Sequence, residues 1–255
     1  MIFEQQMYDP LEPEAFPVFY FYIFIALFSL FMTIRSFAKW SERKMKAPLL
    51  LSITFLLFSL CIASLMIGLM EAVIYGEKRV IYRFSLAFAY STIMIANCFL
   101  LYFASEIFSF EKRYLKKYII ISLIIAVFLA LPYNYYGVPE ALVDNSKNIR
   151  PYTGGALVVF SILTYSRIFS VAYRVSKRVE EKQAKTGFLF IALSQICLIL
   201  FFVFVFIDTL IFTLTDLSGY TISLYIAWVW ACLFLVSVYI GLFMPDWVRK
   251  RFLMK

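Results

Sequence analysis

The chain has 255 residues, 63% of them hydrophobic, with 29 Phe and 18 Tyr, a surplus that the single core of a soluble domain this size has no room to bury. The formal charge of +8 comes from basic residues in short stretches between apolar blocks, a pattern of membrane topology rather than of nucleic-acid binding. There is no His, which removes the commonest metal ligand and the usual acid–base catalyst, so no catalytic residue, metal site or cofactor is predicted.

In chain order, the opening MIFEQQMYDPLEPEAF is acidic and polar and lacks the basic start of a cleavable signal peptide. The first helix is expected to act as an uncleaved insertion signal. Seven apolar segments follow: Pro17 to Ile34, Ala47 to Met70, Phe84 to Ala104, Tyr118 to Leu131, Tyr152 to Tyr173, Gly187 to Thr213 and Thr221 to Phe243. Most reach roughly 20 residues, enough to span about 30 Å. The fourth is the shortest, with a possible extension through Pro132 toward Tyr136. Pro17 and Pro48 suit the first turn of a helix.

The linkers alternate in charge. Eighteen of the 24 basic residues fall in the first, third and fifth linkers and the tail. The expectation is therefore an all-α polytopic bundle of seven transmembrane helices in the cell membrane, N-terminus outside and C-terminus cytoplasmic. Its parts are an extracytoplasmic tail 1–16, a helical domain 17–244 and a basic tail 245–255 expected to lie on the inner leaflet. The longest outside linker, Pro132 to Pro151, is rich in aromatic and turn residues. It reads either as an interfacial belt or as a lid over an outward pocket. Cys61, Cys98, Cys197 and Cys232 each lie inside an apolar block and read as small buried hydrophobes without a disulfide.

Polar residues inside such a bundle need partners. Glu71, Arg83 and Asp208 belong to segments two, three and six and approach the outer end, where their signs permit pairing. Arg83, Tyr90 and Asn97 recur every seven residues and so share one face of segment three. These five form a predicted outer polar pocket, read either as a clamp between helices or as a ligand site. Glu106, Arg167 and Gln195 reach similar depths in the inner half and form a predicted inner polar cluster. No transmembrane segment has a Pro in its middle, unlike transporters that build ion sites on broken helices.

Segment seven has no Lys, which excludes a retinal Schiff base of the rhodopsin type. Segment three ends in SEIFSFEKRY without the acidic–Arg–Tyr triplet of eukaryotic G-protein-coupled receptors. Tyr239 to Arg251 reads YIGLFMPDWVRKR: an aliphatic–Gly–aromatic run, then Pro, then Trp with basic residues. With LYFASEIF at the end of segment three, the chain resembles the seven-helix N-terminal sensor region of prokaryotic, archaeal-type histidine kinases, standing alone without kinase domains. The resemblance implies a region that receives a signal and passes it on. With no histidine for phosphotransfer, a cytoplasmic or membrane signalling partner would carry the output. The functional expectation is a receptor-like or sensory membrane protein that is not an enzyme. Its expected partners are membrane lipids and a small-molecule ligand from outside, with no nucleic acid. A small transporter or channel and a structural scaffold stay open as alternatives.

Overall fold

The computed structural model describes residues 15–75, 80–108, 112–138, 143–144, 146–215 and 221–253. The expectations for the opening residues 1–14, for residues 139–142 and 145 of the longest linker and for the last two residues fall outside this range. Eight α-helices are described: α1 Ala15–Arg43, α2 Lys46–Tyr75, α3 Val80–Phe108, α4 Lys112–Ala130, α5 Arg150–Arg178, α6 Lys182–Thr215, α7 Ile222–Phe243 and α8 Asp246–Leu253. A 3₁₀ turn at Pro132–Asn134 follows α4.

The prolines sit where their missing N–H costs nothing. Pro17 and Pro48 fall in the first turns of α1 and α2, and Pro151 is the second residue of α5. The stops are made by residues with left-handed backbone. Lys44 (φ 54°) ends α1 and its N–H returns to Trp40 O at 2.7 Å. Met244 (φ 41°) ends α7 and its N–H returns to Ile240 O at 3.0 Å. Neither is Gly, so both turns accept a steric cost to reverse the chain at once.

Six helices form a closed ring. α1 packs on α2, α2 on α3, α3 on α5, α5 on α6, α6 on α7, and α7 returns to α1. α4 lies outside, against α3 and α5. The ring's interior carries a series of aromatic side chains. Tyr22, Trp228, Phe201, Phe202 and Tyr165 follow one another at centroid separations of 4.8 to 5.9 Å, carrying rings from α1 through α7 and α6 to α5. The outward faces are apolar too: Phe24, Leu27, Phe31 and Ile34 on α1, and Ile120, Ile124 and Val127 on α4, are exposed at helical spacing. An apolar belt of that extent is the surface of a protein solvated by lipid.

The expectation of seven crossings is corrected here. Among the described residues, six helices, α1, α2, α3, α5, α6 and α7, are long and apolar enough to cross a membrane. The predicted fourth segment falls short. α4 has 19 residues and opens on KRYLKK, leaving an apolar run from Tyr118 to Ala130. At about 1.5 Å per residue that run covers roughly 20 Å, against a hydrocarbon core of about 30 Å. The assignment of N-terminus outside and C-terminus in the cytoplasm rested on alternation across seven spans, and it lapses with the count.

Two close approaches set the packing of neighbours. Gly187 of α6 faces Gly241 of α7, so that a Cβ on either would stand 2.9 Å from the other's carbonyl oxygen. Gly68 of α2 instead makes room for a side chain, since a Cβ there would lie 2.8 Å from Ser85 Cβ of α3. Both are places where only a residue without a side chain lets the neighbouring helix approach.

Candidate functional site

The two ends of the ring differ. Turns at Lys44–Met45 and Val179–Glu181 mark one end, here called the turn end. The other carries the 3₁₀ turn and the start of α3, and is called the loop end.

At the loop end, the α4 terminus is tied down by Asn134, which is fully buried. Its Nδ2 donates to Phe128 O (2.8 Å) and Leu131 O (2.9 Å), carbonyls at the end of α4 that also accept the Leu131 and Asn134 N–H groups. Its Oδ1 accepts from Thr153 Oγ1 at 2.5 Å, which joins α4 to the first turn of α5. The chain then passes through Tyr135 (φ 49°) and Gly137 (φ +65°). Gly137 presses on α3: a Cβ there would lie 2.9 Å from a Tyr82 ring carbon and 3.2 Å from Arg83 Cγ.

This seating buries Tyr136. Its ring meets Tyr90 edge to face at 5.3 Å, and Arg150 of α5 lies over its other side at 5.9 Å. Burial pushes the Tyr136 phenol above its ordinary range, a shift reinforced by Tyr90 and opposed by Arg150 and Thr153. Tyr136 therefore stays a neutral hydroxyl at physiological pH.

The residues of the predicted outer pocket take up several separate roles. Glu71 is buried, and its Oε2 accepts the Tyr82 N–H at 2.6 Å, placing a carboxylate on the first turn of α3. Asp208 Oδ1 accepts from Thr221 Oγ1 at 2.6 Å and so ties α6 to the start of α7. Arg83 is half-buried beside Gly137. Tyr90 joins Tyr136 and Arg150. Asn97 lies deeper and fully buried: its Nδ2 donates to Ser161 Oγ (3.0 Å), and its Oδ1 accepts from Tyr165 OH (2.7 Å). Beside this bridge Tyr118 OH is hydrogen-bonded to Thr164, and donates to Phe160 O at 2.5 Å.

The residues of the predicted inner cluster differ in burial. Glu106 and Arg167 have exposed side chains, whereas Gln195 is buried. Gln195 Nε2 donates to Ser194 Oγ at 3.1 Å, and its Oε1 has no hydrogen-bond partner among the described residues.

Sequence reasoning missed Asn134, Thr153, Ser161 and Tyr165. A signal existed for Asn134, an Asn just past an apolar run and a Pro, where helix ends are capped. Ser161 and Tyr165, four residues apart, share one face of α5. What could not be read was that this face meets Asn97. All four cysteines are free, as the sequence led one to expect. Among the described residues, no three His, Cys, Asp or Glu are grouped to hold a metal ion.

No family model, curated protein or solved structure matches the chain. The expected kinship with the sensor regions of histidine kinases is accordingly withdrawn, and signal transduction with it. Its short motifs have a local structural account. The Gly of YIGLF is Gly241, kept small by Gly187, and the Pro that follows stands between α7 and α8.

Proposed function

We propose that this multi-pass membrane protein is receptor-like and meets a small molecule at the loop end. The observation that carries this reading is the seating of the segment at residues 132–138. There a buried Tyr136 lies between Tyr90 and Arg150, with Arg83 beside Gly137. A covering loop with aromatic faces, phenol hydroxyls and guanidinium groups has the chemistry to recognise a polar, partly apolar molecule. The middle of the ring speaks against a conduit, because the aromatic series from Tyr22 to Tyr165 occupies it.

A structural scaffold is the second reading. It is favoured by the pairing of Glu71, Asp208 and Asn97 within the protein itself, each tying two helices together. The readings separate in a thermal-shift screen of small polar compounds on the purified protein. A ligand at a hundred times its Kd raises stability by about 2.7 kcal/mol, an easily read shift. The receptor-like reading expects such a compound, with the shift reduced in Arg83→Ala and Tyr136→Ala. A screen without hits, with liposomes impermeable to the same compounds, would leave the scaffold reading standing.

A further inference from the structure

The turn end carries a feature that neither reading uses. Arg35, Lys39 and Arg43 recur every four residues and so share one face in the last turns of α1. The C-terminus of α7 lies beside them. Lys39 Nζ donates to Leu242 O at 3.4 Å and stands 4.3 Å from the centre of the Phe243 ring. The exposed Arg35 guanidinium lies 5.5 Å from the same ring and 6.0 Å from that of Phe31. Arg35 and Arg43 flank Lys39 on that face, one helical turn away on either side.

From these cations an aromatic series leads toward the middle of the membrane. Phe243 meets Tyr239 at 5.4 Å, and Tyr239 meets Phe31 at 5.9 Å and Phe28 at 6.0 Å. The series lies along the seam where the first and last crossing helices of the ring meet. Phe31 is exposed there, while Phe28 and Tyr239 are partly so. The feature thus has two parts: a cationic head with hydrogen-bond donors to spare, and an apolar track running from it along the helices. An ammonium has three donors and a guanidinium five, and Leu242 O takes one of them.

We propose that the α1–α7 seam is a binding site for an anionic glycerophospholipid. Its phosphate lies between Arg35 and Lys39, and an acyl chain follows Phe243, Tyr239 and Phe31. Charge complementarity selects the headgroup, with Arg35, Lys39 and Arg43 on one face of α1. The aromatic track selects a lipid over a free anion, which would have no use for it. This proposal is independent of the receptor-like reading, because it concerns the opposite end of the bundle.

The test uses the full chain in phosphatidylcholine nanodiscs with increasing phosphatidylglycerol. Native mass spectrometry reads the lipid retained on the protein. Phosphatidylglycerol should be retained in preference to phosphatidylcholine. Each cation near the membrane surface contributes roughly fivefold. Arg35→Gln and Lys39→Gln should therefore each weaken retention about fivefold. Lys177→Gln, an exposed cation of α5 near the same end, should change it less than about twofold. Millimolar inorganic phosphate should not displace the lipid. Equal loss in Lys177→Gln would mean diffuse charge attraction and overturn the site. Displacement by phosphate would make it a free-anion site and overturn the lipid. Absence of preference in the wild-type chain overturns the proposal by itself, whether or not the variants fold.

Discussion

Asn97 shows what a buried polar group does in this chain. Its amide spends one donor on Ser161 and its carbonyl accepts Tyr165, so one side chain of α3 holds two of α5. In a bundle surrounded by lipid, the cost of losing such a group comes mainly from the partners left behind. Asn97→Ala is expected to lower stability by about 1–2 kcal/mol in a denaturant titration in detergent. Tyr165→Phe alone should also destabilise. The double variant should lose less than the sum by at least about 0.5 kcal/mol, because the second change removes a hydroxyl already orphaned. Strictly additive losses would show that the two groups are not energetically joined. The seven-residue spacing of Arg83, Tyr90 and Asn97 made the shared face legible. It did not tell a ligand stripe from a helix clamp, because that depends on what α5 presents opposite.

At the scale of elements, glycine position decides which helices can approach. Gly241 and Gly187 let α7 and α6 come within backbone contact: a Cβ on Gly241 would meet the Gly187 carbonyl oxygen at 2.9 Å, Ile191 Cγ1 at 3.0 Å and Ile191 N at 3.2 Å, and the two backbone atoms cannot swing away. Gly241→Ala should therefore destabilise by about 1–3 kcal/mol, despite the better helix propensity of Ala. Gly154 and Gly155 of α5 have nothing within 4 Å of a built Cβ. Gly154→Ala should be neutral or stabilising by up to about 1 kcal/mol. The same assay reads both, and a gain at Gly241 would refute the close approach. From the sequence all these residues were glycines near helix ends. Only the neighbouring helix distinguishes the two kinds.

For the whole molecule, the contacts assign the linkers to two ends without reference to a membrane. Lys39 reaches Leu242, Gly187 faces Gly241 and Phe108 meets Phe188 at 5.8 Å, all at the turn end. Ile149 N–H donates to Tyr133 O, and Asn134 accepts from Thr153, at the loop end. An impermeant thiol reagent on sealed vesicles should thus label Met45→Cys and Glu180→Cys from the same side. Ser146→Cys should label from the other, since α5 lies between it and Glu180. Different sidedness for Met45→Cys and Glu180→Cys would break the ring arrangement.

The class of the protein, the positions of its long helices and the burial of Cys61, Cys98 and Cys197, though not of the half-buried Cys232, were decided by composition and by the length of apolar runs. These are local properties that a bilayer reads directly, since a helix must satisfy its own backbone there. The number of crossings was less legible. Tyr118 to Leu131 is apolar like its neighbours, and only its length, set against the basic turns before it, separates α4 from them. The pairings of Glu71 with the Tyr82 N–H, Asp208 with Thr221 and Asn97 with Tyr165 were decided by the tertiary structure alone. A polar residue in a membrane must find a partner, and which one it finds depends on the rotation and register of helices far apart in the chain.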